Sequence, residues 1–216
     1  MMQTGTISHA ETQTARVAGF DRFAGGAAIV TGVLSLAYAV AFLILKINWL
    51  ADLLLAIGGL LSTAVITAIY QRVRQTDAGF ALWGVLLGFV AGMGTTIHGM
   101  YNLTNDITAP PASLHDLSAV PLAIDPRGLL AFGVAGLSVG IFAMLITRGG
   151  QLPKALGNLG YVLSVLLIAL YLGTLLTNND THSLAVLIPG GLASLIVNPA
   201  WYIGVGFVLS KSPRAS

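Results

Sequence analysis

The chain has 216 residues, 56% of them hydrophobic and only 8% charged, and its mean hydropathy is +0.85. Soluble domains carry about 25% charged residues, and a soluble fold of this length cannot hide so much apolar surface, so lipid is the solvent for most of the chain. The net charge of +2 is dispersed without a basic patch, which gives no sign of a nucleic-acid partner. The lack of cysteine excludes disulfides and thiolate chemistry.

Residues 1–22 are polar, lack hydrophobic periodicity and read as a tail with helix near Arg16. The first apolar run, 23–45, contains Ala37-Tyr38-Ala39, the small-x-small pattern of a signal-peptidase site. The run continues well past that pattern, whereas a signal-peptide core is only about 7–15 residues long, so a retained membrane helix is the reading. Five more runs follow, at 52–71, 79–101, 128–147, 155–176 and 184–209. Each is long enough to cross a hydrocarbon core of about 30 Å at about 1.5 Å per residue. Pro126 and Pro153 stand at or near first turns, where a missing N–H costs nothing. The predicted fold class is therefore all-α, a polytopic membrane protein of six transmembrane helices with both termini cytoplasmic. Its single domain covers 23–211, with an outer loop at 102–127 and a short tail at 212–216.

Charge sets the orientation. With both ends inside, the inner side holds Arg16, Arg22, Arg72, Arg74, Arg148, Lys154, Lys211 and Arg214, against Lys46 and Arg127 outside. That asymmetry is what the positive-inside rule asks of an even number of spans. Asp52, Asp106, Asp116, Asp125 and Asp180 fall outside. The run Leu54-Leu55-Ala56-Ile57-Gly58 echoes Leu129-Leu130-Ala131-Phe132-Gly133, an echo that chance among apolar helices accounts for.

Small residues recur four apart at Gly84, Gly88 and Gly92, and at Gly136 and Gly140. In lipid such faces let helix backbones approach closely. They serve packing within the bundle or, as a second reading, contact with other membrane subunits. Trp49 and Trp201 are expected near span ends as interfacial anchors.

Thr95, His98, Asn102 and Asn105 form one polar stripe on the third helix, with Tyr101 beside it. An ionisable residue at that depth is a functional candidate, and the plainer reading is a tie to the outer loop. His98, His115 and His182 all fall outside together with aspartates, which would suit a metal-dependent hydrolase. The i, i+4 histidine pair that marks such a site is missing, so no metal is expected. No histidine pair or intramembrane lysine supports haem or retinal, and no cofactor is indicated. Ser113 to Asp116 has the form of a capping box, and Asp125 that of a cap for the fourth helix. In the sixth run Pro189, then Asn198-Pro199 with Tyr202 one turn on, predict a bent helix with freed backbone near mid-membrane. Ligand contacts are thus expected from His98, Tyr101, Asn102, Asn198 and Tyr202.

The runs DPRGLLAFGVAGLSVGIFAMLI, LPKALGNLGYVLSVLLIALYLG and NPAWYIGVGFVL, with the helix end TTIHGMYNLTND, resemble a widespread group of small six-helix bacterial membrane proteins whose domain is of unknown function. The resemblance covers residues 23–210 and implies six helices in a bacterial inner membrane, with no activity or catalytic residue attached. The functional expectation is a non-enzymatic membrane protein, either a small-ligand or lipid-binding bundle or an accessory subunit. The alternatives are an outer-face hydrolase and a small transporter using the broken sixth helix.

Overall fold

In a computed structural model the described residues are 9–107, 125–178, 180 and 182–211, with side chains from Gly19 onward. The predicted spans are six helices long and apolar enough to cross a membrane, and among the described residues there is no strand. Helix α1 runs His9–Ala39 and ends in a π-helical turn, Val40–Leu45. Helix α2 is Asn48–Val73, α3 is Ala78–Ile107 and α4 is Pro126–Gly149. Helices α5, Lys154–Leu176, and α6, Leu184–Ser210, complete the chain.

Two boundaries differ most from the sequence reading. Helix α1 begins at His9, inside the stretch read as a tail, because HAETQTARVA is built from fair helix formers that apolar patterning does not register. Helix α3 continues to Ile107, so the outer loop starts after 107 and not at 102. Its last turns are polar, but Asn102 finds a partner on α2, and the helix outlasts its apolar face.

Short signals end and start the helices. Lys46 in a left-handed conformation (φ 56°) reverses the chain between α1 and α2. The Asp77 carboxylate accepts from Phe80 N–H at 3.0 Å, and Ser183 Oγ from Ala185 N–H at 3.3 Å. Gly150, also left-handed, closes α4.

Each helix packs on the next, and α6 returns to pack on α1, so the six close into a ring. We call the end where α1 starts and α6 finishes the base, and the opposite end the crown. The glycines set the ring's tightest contacts. A Cβ on Gly59 would lie 2.8 Å from the Gly92 carbonyl, and one on Gly206 would lie 2.7 Å from that of Gly25. Gly84 and Gly88 face Ile141 and Ser138 of α4, and Gly136 and Gly140 face Ser164 of α5. Both glycine stripes are therefore taken up inside the bundle.

The ring is filled unevenly. The large apolar side chains that are fully buried are Trp201, Phe142, Ile69, Leu145, Ile146, Leu163, Leu209, Val65, Val73 and Val205. All of them lie in the base half. Trp201 is thus a core residue and not an interfacial anchor: its indole sits against Gly160, edge-on to Tyr202 at 5.0 Å. Trp49, half-exposed at the crown, keeps the anchor position. Asp21 of α1 and Arg72 of α2 tie the base together, with Arg72 Nε donating to Asp21 Oδ2 at 3.0 Å. In the crown half the inward positions are mostly small, and they leave a space.

Helix α6 is interrupted where its sequence predicts a bend. It is regular over Leu184–Leu192, widens into a π-helical turn at Ala193–Val197, and resumes at Asn198–Ser210. Pro189, which cannot donate an N–H, lies one turn before the wide turn.

A candidate ligand cavity and its polar crown

The space left in the crown half is a cavity of about 180 Å³ lined by all six helices. Its walls are Leu, Ile, Val, Phe, Ala and Gly with uncharged polar groups: Thr31, Ser35 and Tyr38 of α1, Ser62, Thr95, Ser138, and Ser194, Asn198 and Tyr202 of α6. Among the described residues no charged side chain lines it. Most hydroxyl protons are already committed to helix carbonyls. Thr31 donates to Ala27, Ser62 to Gly59, Thr95 to Ala91 and Ser194 to Gly190, while Ser138 crosses to the Gly84 carbonyl at 2.8 Å. What these groups still offer an occupant is lone pairs, not protons. Asn198 Nδ2 donates to Ser35 Oγ at 2.8 Å, which ties α6 to α1. The Tyr202 hydroxyl reaches Ser62.

Above the cavity, the crown carries the polar stripe of α3, which divides among its neighbours. Thr95 faces the cavity. The His98 ring, turned toward α4, puts Nδ1 3.5 Å from Asp125 Oδ2, an electrostatic approach longer than an ordinary hydrogen bond. Asn102 donates to Asp52 Oδ1 at 3.3 Å on α2. Asn102, Asn105, Asp106, Asp52, Asn48 and Phe42 enclose a second, polar pocket of about 210 Å³. The Phe42 ring stacks on Tyr38, 5.8 Å between centroids, so the two spaces adjoin through that pair. Tyr101 lies beside the stripe, half-buried, and lines neither space.

Asp125 is the crown's organising acid. It is fully buried, and its two oxygens accept from the N–H groups of Leu130 (2.6 Å) and Ala131 (3.3 Å). The cap reaches so far because Arg127 and Gly128 are both left-handed and turn the chain back on itself before the helix proper. Burial alone would raise the Asp125 carboxyl, but His98 and the two N–H groups together hold it below the ordinary carboxylate range. Among the described residues Arg127 meets no aspartate. It closes the end of α5 instead, donating to the Leu175 carbonyl and to Asn178 Oδ1, each at 2.7 Å.

The expected site residues therefore fall into two places: Asn198 and Tyr202 in the cavity, His98 and Asn102 in the crown. His182 is exposed in a turn where its N–H bonds Asp180. His115 and the Ser113–Asp116 capping box lie outside the described residues. Among the described residues no three His, Asp or Glu side chains come together to hold a metal. Sequence reasoning missed Asp52 as a partner and most of the cavity wall. A readable signal was present in the spacing: Thr31 and Ser35, and Ser194, Asn198 and Tyr202, repeat four apart on the faces that turn inward. Comparison with family models, curated proteins and solved structures finds no match for this chain.

Proposed function

We propose that this membrane protein binds a small, uncharged, largely apolar molecule in the crown-half cavity. On this reading it is a non-enzymatic component of a bacterial inner membrane, with the base and both chain ends in the cytoplasm. The observation that supports it most is the cavity wall itself. All six helices contribute, no charged side chain among the described residues lines it, and the hydroxyl protons of Thr31, Ser62, Thr95, Ser138 and Ser194 are committed to helix carbonyls. An apolar body carrying at most a hydroxyl or similar donor suits such a wall. Ionic substrates would meet no counter-charge. Hydrolysis has little to support it, since among the described residues no histidine or carboxylate lines the space to activate its serines.

Transport is the second reading, favoured by the wide turn Ala193–Val197 at mid-span beside the cavity. It requires the base core to part, which an accessibility change at Val205 or Leu209 during turnover would reveal.

The test is occupancy. Gly58 lines the cavity, and a Cβ built there meets nothing within 4 Å, so Gly58→Leu fills space without displacing a neighbour. Organic extracts of the purified wild type, analysed by mass spectrometry, should contain one small molecule at near-stoichiometric level that Gly58→Leu lacks. Identical extracts from the two proteins would sink the reading.

A further inference from the structure

Resting on the proposal that the cavity holds a ligand, we infer that it opens sideways into the bilayer between the crown halves of α1 and α6. Its occupant is then one aliphatic chain of a membrane amphiphile, and not a solute arriving from water.

From the base to mid-span α1 and α6 touch backbone to backbone. A Cβ on Gly32 would stand 2.9 Å from the Pro199 carbonyl, and the Gly25–Gly206 approach lies two turns below. Among the described residues the last side-chain tie is the Asn198–Ser35 hydrogen bond, and α1 still meets the π turn Ala193–Val197 just above it. Beyond that turn Leu184–Leu192, with Pro189 inside it, packs on α5, and among the described residues this segment has no substantial packing against α1. Leu34 and Tyr38 form one rim of the resulting gap, and Gly190 and Ser194 the other; all four also line the cavity. Gly190 adds nothing to close it. The nearest atom to a Cβ there belongs to Leu170 of α5, at 3.3 Å.

Depth decides what the gap admits. Asn198 stands at mid-span and the π turn above it still meets α1, so the opening covers Leu184–Leu192, 9 residues or about 13 Å of the crown half at about 1.5 Å per residue. Its flanks, Leu36 on α1 and Leu187 and Ile188 on α6, are exposed apolar side chains that belong in hydrocarbon. A cavity of about 180 Å³ is comparable with the roughly 150 Å³ engineered apolar cavity that takes one benzene ring. It holds a stretch of chain, not a whole lipid, and the polar head stays at the crown.

The test uses the full chain in phosphatidylcholine vesicles that contain a phosphatidylcholine bearing a diazirine at mid-chain. After photolysis, adducts are mapped by peptide mass spectrometry, with Leu60 and Val165, both exposed on the outer surface, as controls. We expect adducts on interior residues Phe132, Ala135 and Tyr202, and a loss of at least tenfold in Ser194→Trp with the Leu60 and Val165 adducts unchanged. If Ser194→Trp does not fold, Leu34→Trp on the facing rim serves the same purpose. Wild-type protein without interior adducts overturns the inference. So does interior labelling by a diazirine benzoate dissolved in the aqueous phase, or lipid labelling that persists in a folded rim variant. A molecule found by extraction would leave the ligand proposal standing in each of those cases.

Discussion

At the scale of single residues, the crown depends on a carboxylate rather than on the histidine that first draws the eye. Asp125 is fully buried and receives two backbone N–H groups as well as the approach of His98. Asp125→Ala leaves both helix-start donors without an acceptor and should cost about 1–3 kcal/mol. His98→Ala removes one 3.5 Å approach and should cost less, under about 1 kcal/mol. Thermal unfolding in one detergent orders the two, and a larger loss for His98→Ala would contradict the assignment. The acid limb follows from the sign of the shift. The Asp125 carboxyl is held low, so its contribution is complete above the unfolded value of about 3.9 and fades only as pH falls through the lower folded value. The stability gap between wild type and Asp125→Ala should persist at pH 5 and close only below about pH 4. A gap already closed at pH 5 would mean that His98 and the two N–H groups do not hold the carboxyl low.

At the scale of helices, adjacent glycines on α2 have opposite duties. Gly59 is pressed against the Gly92 carbonyl, while Gly58 looks into open space. Gly59→Leu should force α2 and α3 apart and cost several kcal/mol through overpacking, at or above the usual range of about 1–3. Gly58→Leu should fold and gain up to about 1 kcal/mol from helix propensity. Similar unfolding midpoints for the two would contradict the packing described. The helices themselves were legible, because runs of about 20 apolar residues admit one answer in lipid. The interruption of α6 was legible too, since Pro189 and Asn198-Pro199 remove backbone bonds wherever they stand. The wide turns that open α4 and end α1 were not, because nothing in Leu129–Val134 or Val40–Leu45 differs from an ordinary apolar helix. Nor was the role of Trp201, since the indole suits a core as well as an interface and only the neighbouring Gly160 makes room for it.

For the whole molecule, the governing feature is a ring of six helices packed solid at the base and hollow at the crown. Asn198 and Tyr202 stand out in the sequence, but nothing there places them beside Thr31, Ser62 and Ser138, because which faces turn inward is fixed by the ring's closure and not by any one helix. The proposed orientation is separately testable because the chain has no cysteine. Gln75→Cys and Gln151→Cys, both exposed at the base, should resist a membrane-impermeant thiol reagent in intact cells, whereas His182→Cys at the crown should label. The reverse pattern would invert the protein in its membrane. The most direct measurement of the central claim is a crystal structure grown from a lipidic mesophase. Elongated density is expected between Ser138, Asn198 and Tyr202, reaching the lipid past Leu34 and Ser194. A crown half closed by side chains, with α6 against α1 along its whole length, would contradict it.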